Sequence, residues 1–73
     1  MDMVFQKTMI RAGEIRSFRI DYQSSTSGWE TCEEANHRIA QRLSRSDWHG
    51  VERDLARFAR EIDELREQGW TDA

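Results

Sequence analysis

The sequence predicts a small α+β domain. It is read as an N-terminal β-hairpin over about residues 3–22, a helix over about 31–44 and a long amphipathic helix over about 47–68. Three observations predict this. Phe18, Ile20 and Tyr22 alternate with Arg19 and Asp21, the period of two of a half-buried strand. Trp48, Val51, Leu55, Phe58, Ile62 and Leu65 recur at spacings of three and four, the seam of an amphipathic helix. No proline interrupts the chain, and Gly13, Gly28, Gly50 and Gly69 punctuate it.

The hairpin is argued first. Phe18 to Tyr22 is rich in β-branched and aromatic groups, which suit a pleated surface. Arg11-Ala12-Gly13-Glu14 reads as a turn leading back to an earlier strand. Residues 2–11 mix apolar and polar groups without a clear phase, so strand and short helix both stay open there. A lone hairpin is unstable in water, so this one must lie on the rest of the chain or on a partner.

A Ser-, Thr- and Gly-rich loop over 23–29 precedes the next element. Thr31-Cys32-Glu33-Glu34 has the form of a capping box, and Ser27-Gly28-Trp29-Glu30 has it one turn earlier. Cys32, Ala35 or Asn36, Ile39 and Leu43 then mark one face of a helix, while Arg38, Arg42 and Arg45 mark another. Ser44-Arg45-Ser46 breaks it. Ser46 then caps the long helix, with Asp47 in its first turn, where negative charge suits the dipole. At the far end Gly69 takes the left-handed cap position, and Trp70 folds back onto Leu65 as in a Schellman motif. The helix is roughly 33 Å long at 1.5 Å per residue.

Composition limits what such a chain does. Of 73 residues, 13 are Val, Ile, Leu or Phe, which makes the core thin. Charged residues are 34% but net charge is only −3, so the high net charge typical of disorder is missing. A domain this short is marginal alone and often needs a staple. The single cysteine, Cys32, cannot make an internal disulfide, which points to a reducing compartment. No signal peptide or membrane span is expected, and the reading is cytoplasmic.

Catalytic chemistry is not expected. The two histidines, His37 and His49, and Cys32 match no metal-ligand spacing, and no phosphate-loop, dinucleotide or HExxH motif occurs. No catalytic, cofactor or metal residues are assigned. The expected function is a non-enzymatic protein-interaction module, self-associating as a homodimer, that regulates or inhibits a larger partner. The first helix offers the seam only Ile39 and Leu43, so a partner chain is the expected supplier of the remaining apolar surface. Trp48, Leu55, Phe58, Ile62, Leu65 and Trp70 are the candidate interaction residues, because aromatics dominate interface hot spots. The alternative is a nucleic-acid-binding regulator using Arg38, Arg42 and Arg45, against which overall acidity argues.

From Glu61 to Ala73 there are five acids and one base. An acidic helix end of this kind resembles in general character the small acidic phage proteins that block nucleic-acid-handling machinery, such as anti-CRISPR proteins. Over Phe18 to Ile39, an alternating strand, a Gly-containing loop and Thr31-Cys32-Glu33-Glu34-Ala35 resemble antitoxins of the HicB type, which carry further strands. Either resemblance implies an accessory protein of phage or plasmid type that docks on a larger protein.

Overall fold

The computed structural model describes residues 2–73. Its elements are β1 (Asp2–Arg11), β2 (Glu14–Gln23), β3 (Gly28–Ala35), β4 (Arg38–Arg45), α1 (Trp48–Glu67) and a two-residue β5 (Thr71–Asp72). All paired strands are antiparallel, in the order β4-β3-β2-β1-β5. The helix lies across one face of this sheet.

The N-terminal hairpin is present, and residues 2–11 are strand. Its turn is the expected one: Arg11 pairs with Glu14, and Ala12 and Gly13 have φ of +50° and +83°. Two successive positive φ values make a two-residue hairpin turn whose twist matches that of the strands.

The helix expected over residues 31–44 does not form. That stretch holds most of a second hairpin, β3 and β4, so the chain has one helix and not two. Thr31 does not cap a helix; it is buried in the ladder between Ile20 and Leu43. The local sequence is compatible with both states. The decision comes from pairing, because β3 bonds β2 along its whole length, from Arg16↔Ala35 to Gln23↔Gly28. The reversal uses Asn36 and His37, with φ of +52° and +67°. Asn tolerates this left-handed region better than most residues. Its Oδ1 also accepts a bond of 2.9 Å from the Ile15 N–H, which ties the turn to β2.

The long helix agrees with the reading to within a residue at each end. Its cap differs: Asp47, not Ser46, is the N-cap, and its carboxylate accepts from the Gly50 N–H at 3.0 Å. The C-terminal stop is the Schellman motif. Gly69 has φ of +94°, the Trp70 N–H reaches Leu65 O at 2.9 Å and the Gly69 N–H reaches Arg66 O at 3.1 Å.

The seam is covered by the chain's own sheet. Val51, Phe58, Ile62, Leu65 and Trp70 are buried against Met9, Phe18 and Ile20, with Phe5, Trp29 and Leu55 at the margin. The Phe58 ring sits 5.1 Å from Phe18 and 6.3 Å from Phe5, centroid to centroid. Fully burying a side chain of this size contributes about 1.5–3 kcal/mol. Apolar partners for the seam come from β1 and β2.

Two polar contacts join the helix to the far strands. Asp54, only 1% exposed, receives both arms of the Arg45 guanidinium at 2.8 and 2.9 Å, and Arg57 approaches it at 3.4 Å. This pins the C-terminal end of β4 to α1. Further along, Glu61 on the helix lies beside the buried Glu33 of β3, with Arg16 at 2.8 Å from Glu33 and Arg57 near Glu61.

Candidate functional site

Side chains of paired residues share a face, so the register sorts the sheet into two sides. On the helix side stand Phe5, Lys7, Met9, Phe18, Ile20, Tyr22, Trp29, Thr31 and Glu33. The other side is open. It carries Gln6, Thr8, Ser17, Arg19, Asp21, Glu30, Cys32, Glu34 and Arg42, held in local pairs. Arg19 meets Asp21 at 2.8 Å, Arg42 meets Glu30 at 3.6 Å, and the Thr8 and Ser17 hydroxyls lie 3.4 Å apart.

Five large hydrophobic groups are exposed among the described residues, and four of them lie on β1 and β4: Met3, Val4, Ile10 and Ile39. Val4 falls at an irregularity in the β1–β2 register, between Met3 and Phe5. Met3 and Ile10 are on the open side, opposite Asp21 and Ile15. Ile39, 51% exposed, stands opposite Glu34 on the same side. Of these the sequence reading singled out only Ile39, as part of a helical core face and not as an exposed group. Ile39 is an apolar side chain on a strand dominated by polar groups, whereas Met3, Val4 and Ile10 adjoin Phe5 and Met9 on a strand that is half apolar.

The candidate interaction residues of the helix divide. Phe58, Ile62, Leu65 and Trp70 are buried in the chain's own core and Leu55 is partly buried beside it. Only Trp48 is well exposed, at 45%. Trp48 stands at the start of α1 and meets Trp29 edge-on at 5.6 Å, and Trp29 meets Tyr22 at 5.5 Å. This aromatic row closes one end of the sheet. Beside it Gln23, Thr26, Gly28, Trp29, Glu30 and Ser44 line a shallow groove of about 350 Å³.

Arg38, Arg42 and Arg45 are not a helical stripe, because they lie on β4. Arg45 faces the helix and is bound by Asp54; Arg42 faces the open side and meets Glu30; Arg38 stands at the hairpin turn, seven residues away from Arg45. The structure does not bring them to one surface. The histidines are also apart: His37 is in the β3–β4 turn and His49 in the first turn of α1, a full strand length distant. Cys32 is buried in the ladder between Arg19 and Arg42, with its Sγ 3.9 Å from Glu34. Among the described residues no three His, Cys, Asp or Glu side chains gather in a way that could hold a metal ion. No helix among them is long and apolar enough to cross a membrane.

Among the described residues Glu61 is the carboxyl pushed furthest above its ordinary range. Burial and the neighbouring Glu33 push the Glu61 carboxyl up to about 7, against the opposing pull of Arg57 and Arg16. It lies on α1 beside Glu33 of β3.

The chain matches no known protein-family model, and no curated protein and no solved structure is significantly similar to it.

Proposed function

We propose that this chain is a non-enzymatic protein-interaction module that docks on a larger partner and regulates or inhibits it. The observation that carries this reading is the distribution of exposed apolar groups. The helix spends its seam on the chain's own core, yet Met3, Val4, Ile10 and Ile39 remain exposed on β1 and β4. Isolated exposed hydrophobics are ordinary. Here they lie on β1 and β4, where Met9 alone is buried and Phe5 and Leu43 are half-buried, on a sheet with one uncovered face. The exposed Trp48 adds an aromatic anchor of the kind enriched at hot spots.

The scattered arginines give no such support to the nucleic-acid reading. That reading needs a continuous basic surface, and Arg45 is already committed to Asp54.

The test is affinity capture from the native cell lysate with wild type, the double variant Met3→Lys/Ile10→Lys and the single variant Ile39→Lys. Each variant is first shown by circular dichroism to keep the wild-type melt. The reading expects a specific protein held by wild type and lost from at least one variant. Capture of nothing by wild type, or of the same proteins by all three, overturns it.

A further inference from the structure

We infer that the free edge of β4 is a strand-addition site for an extended acidic segment of a partner protein. This rests on the interaction reading above and names where and how the partner binds.

β4 runs for eight residues, Arg38–Arg45, bonds only β3, and forms the outer edge of the sheet. Every second residue of such a strand aims its N–H and C=O away from its neighbour, leaving a row of unpaired backbone groups. The opposite edge is different. There β5 pairs with Met9 and Ile10, and the Ala73 N–H bonds Thr8 O at 3.0 Å, so part of β1 is already covered.

The side chains of β4 select the occupant. The strand Arg-Ile-Ala-Gln-Arg-Leu-Ser-Arg has three arginines and no acid. A second copy of the chain is a poor occupant. Pairing β4 with itself in the antiparallel register centred between Gln41 and Arg42 sets Arg38 opposite Arg45 at both ends. Arg45 is neutralised by Asp54, but the four guanidinium groups of Arg38 and Arg42 from the two copies would still share one ribbon, and crowded like charges are destabilising. Charged edge residues of this kind guard against edge-to-edge association. The same charge is complementary to a strand rich in Asp or Glu.

Two arginines are placed to read such a strand. Arg38 has no ion partner among the described residues, and Arg42 is held only loosely by Glu30 at 3.6 Å. Arg45 is bound to Asp54 with two short bonds and acts instead to hold the end of β4 in place. Ile39, on the same side of the sheet as Arg42 and the opposite side from Arg38, offers an apolar contact. Main-chain bonds supply affinity in this mode, and alternate side chains supply specificity.

The test uses the full chain, 15N-labelled, titrated with the peptide Thr-Glu-Val-Glu-Val-Glu-Thr-Glu. Controls carry Lys for every Glu, or N-methyl groups on alternate peptide nitrogens. The inference expects saturable amide shifts and slowed hydrogen exchange confined to residues 38–45. It expects no response to either control and a several-fold weaker response when salt is raised from about 0.05 to 0.3 M. Arg38→Glu, shown to fold by its unchanged amide spectrum outside β4, should weaken binding at least about tenfold. Equal binding of the acidic and lysine peptides, shifts centred elsewhere, or no binding overturns the inference. So does a concentration-dependent dimer in sedimentation that protects the β4 amides without peptide. Failure of the peptide while a lysate protein is still lost from Met3→Lys/Ile10→Lys sinks strand addition alone and leaves the interaction reading intact.

Discussion

The contact between Glu61 and Glu33 makes the stability of this fold fall as pH rises through neutrality. Glu61 sits under the helix with its carboxyl pushed from 4.5 to about 7, first by burial and then by the hydrogen bond to and charge of Glu33. The groups that face it are Glu33 on β3, Arg57 on its own helix and Arg16 on β2. In the unfolded chain the same carboxyl ionises near its ordinary value. Between the two values the folded state holds a proton that the unfolded state has released, so folding is favoured by acid. The contribution is fully present below about pH 4.5 and is lost as pH rises through about 7. A difference of 2.5 units at 1.36 kcal/mol each sets a ceiling of about 3.4 kcal/mol. Glu61 is only partly buried, so solvent screening reduces this to about 1–2 kcal/mol. Urea unfolding at pH 5, 6, 7 and 8, compared between wild type and Glu61→Gln, measures it. The Gln amide still donates to Glu33 but cannot ionise. Wild type should lose about 1–2 kcal/mol relative to the variant between pH 5 and pH 8. Parallel profiles for the two proteins, or a wild type that gains relative to the variant as pH rises, would refute the reasoning.

Other outcomes follow from the packing. Asp54→Ala leaves the Arg45 guanidinium, 29% exposed at its side chain, without its buried partner. It should cost about 2–3 kcal/mol in urea unfolding and speed hydrogen exchange at the C-terminal end of β4 first. Phe58→Ala opens a cavity between Phe18 and Phe5 and should cost about 3–5 kcal/mol. In a domain this small, that should abolish the cooperative thermal transition seen by circular dichroism. His37→Gly relieves a left-handed backbone of φ +67° in a hairpin turn. It should raise Tm by several degrees, from a gain of about 0.5–1 kcal/mol.

Some of the candidate surface was legible before any coordinates. Trp48 stood out by its spacing on the seam as well as by its type, yet it is 45% exposed. Phe58, Ile62 and Leu65 stood out by their spacing, but the same spacing that suits a partner helix suits a sheet of one's own. Only the three-dimensional arrangement shows that Phe18, Ile20 and Met9 take the seam first. The three arginines looked like a stripe because a helical period was laid over them. On a strand, Arg42 and Arg45, three residues apart, fall on opposite sides, and the irregularity in the β3–β4 register between Glu33 and Glu34 puts Arg38 on the side opposite Arg42.

Sequence by itself determined the elements whose signals are local. The Arg11–Glu14 turn needs backbone that glycine supplies, and α1 declares itself by a twenty-residue amphipathic period and a glycine stop. Only the tertiary structure decided residues 28–45. Their short-range signals, a capping-box pattern at Thr31 and apolar groups near a helical period, support a helix as well as a strand. What tips them is a ladder with β2, a partner separated by a loop and invisible to any local window. A strand has no internal hydrogen bonds with which to announce itself; it exists through its neighbour, and here that neighbour is the first hairpin.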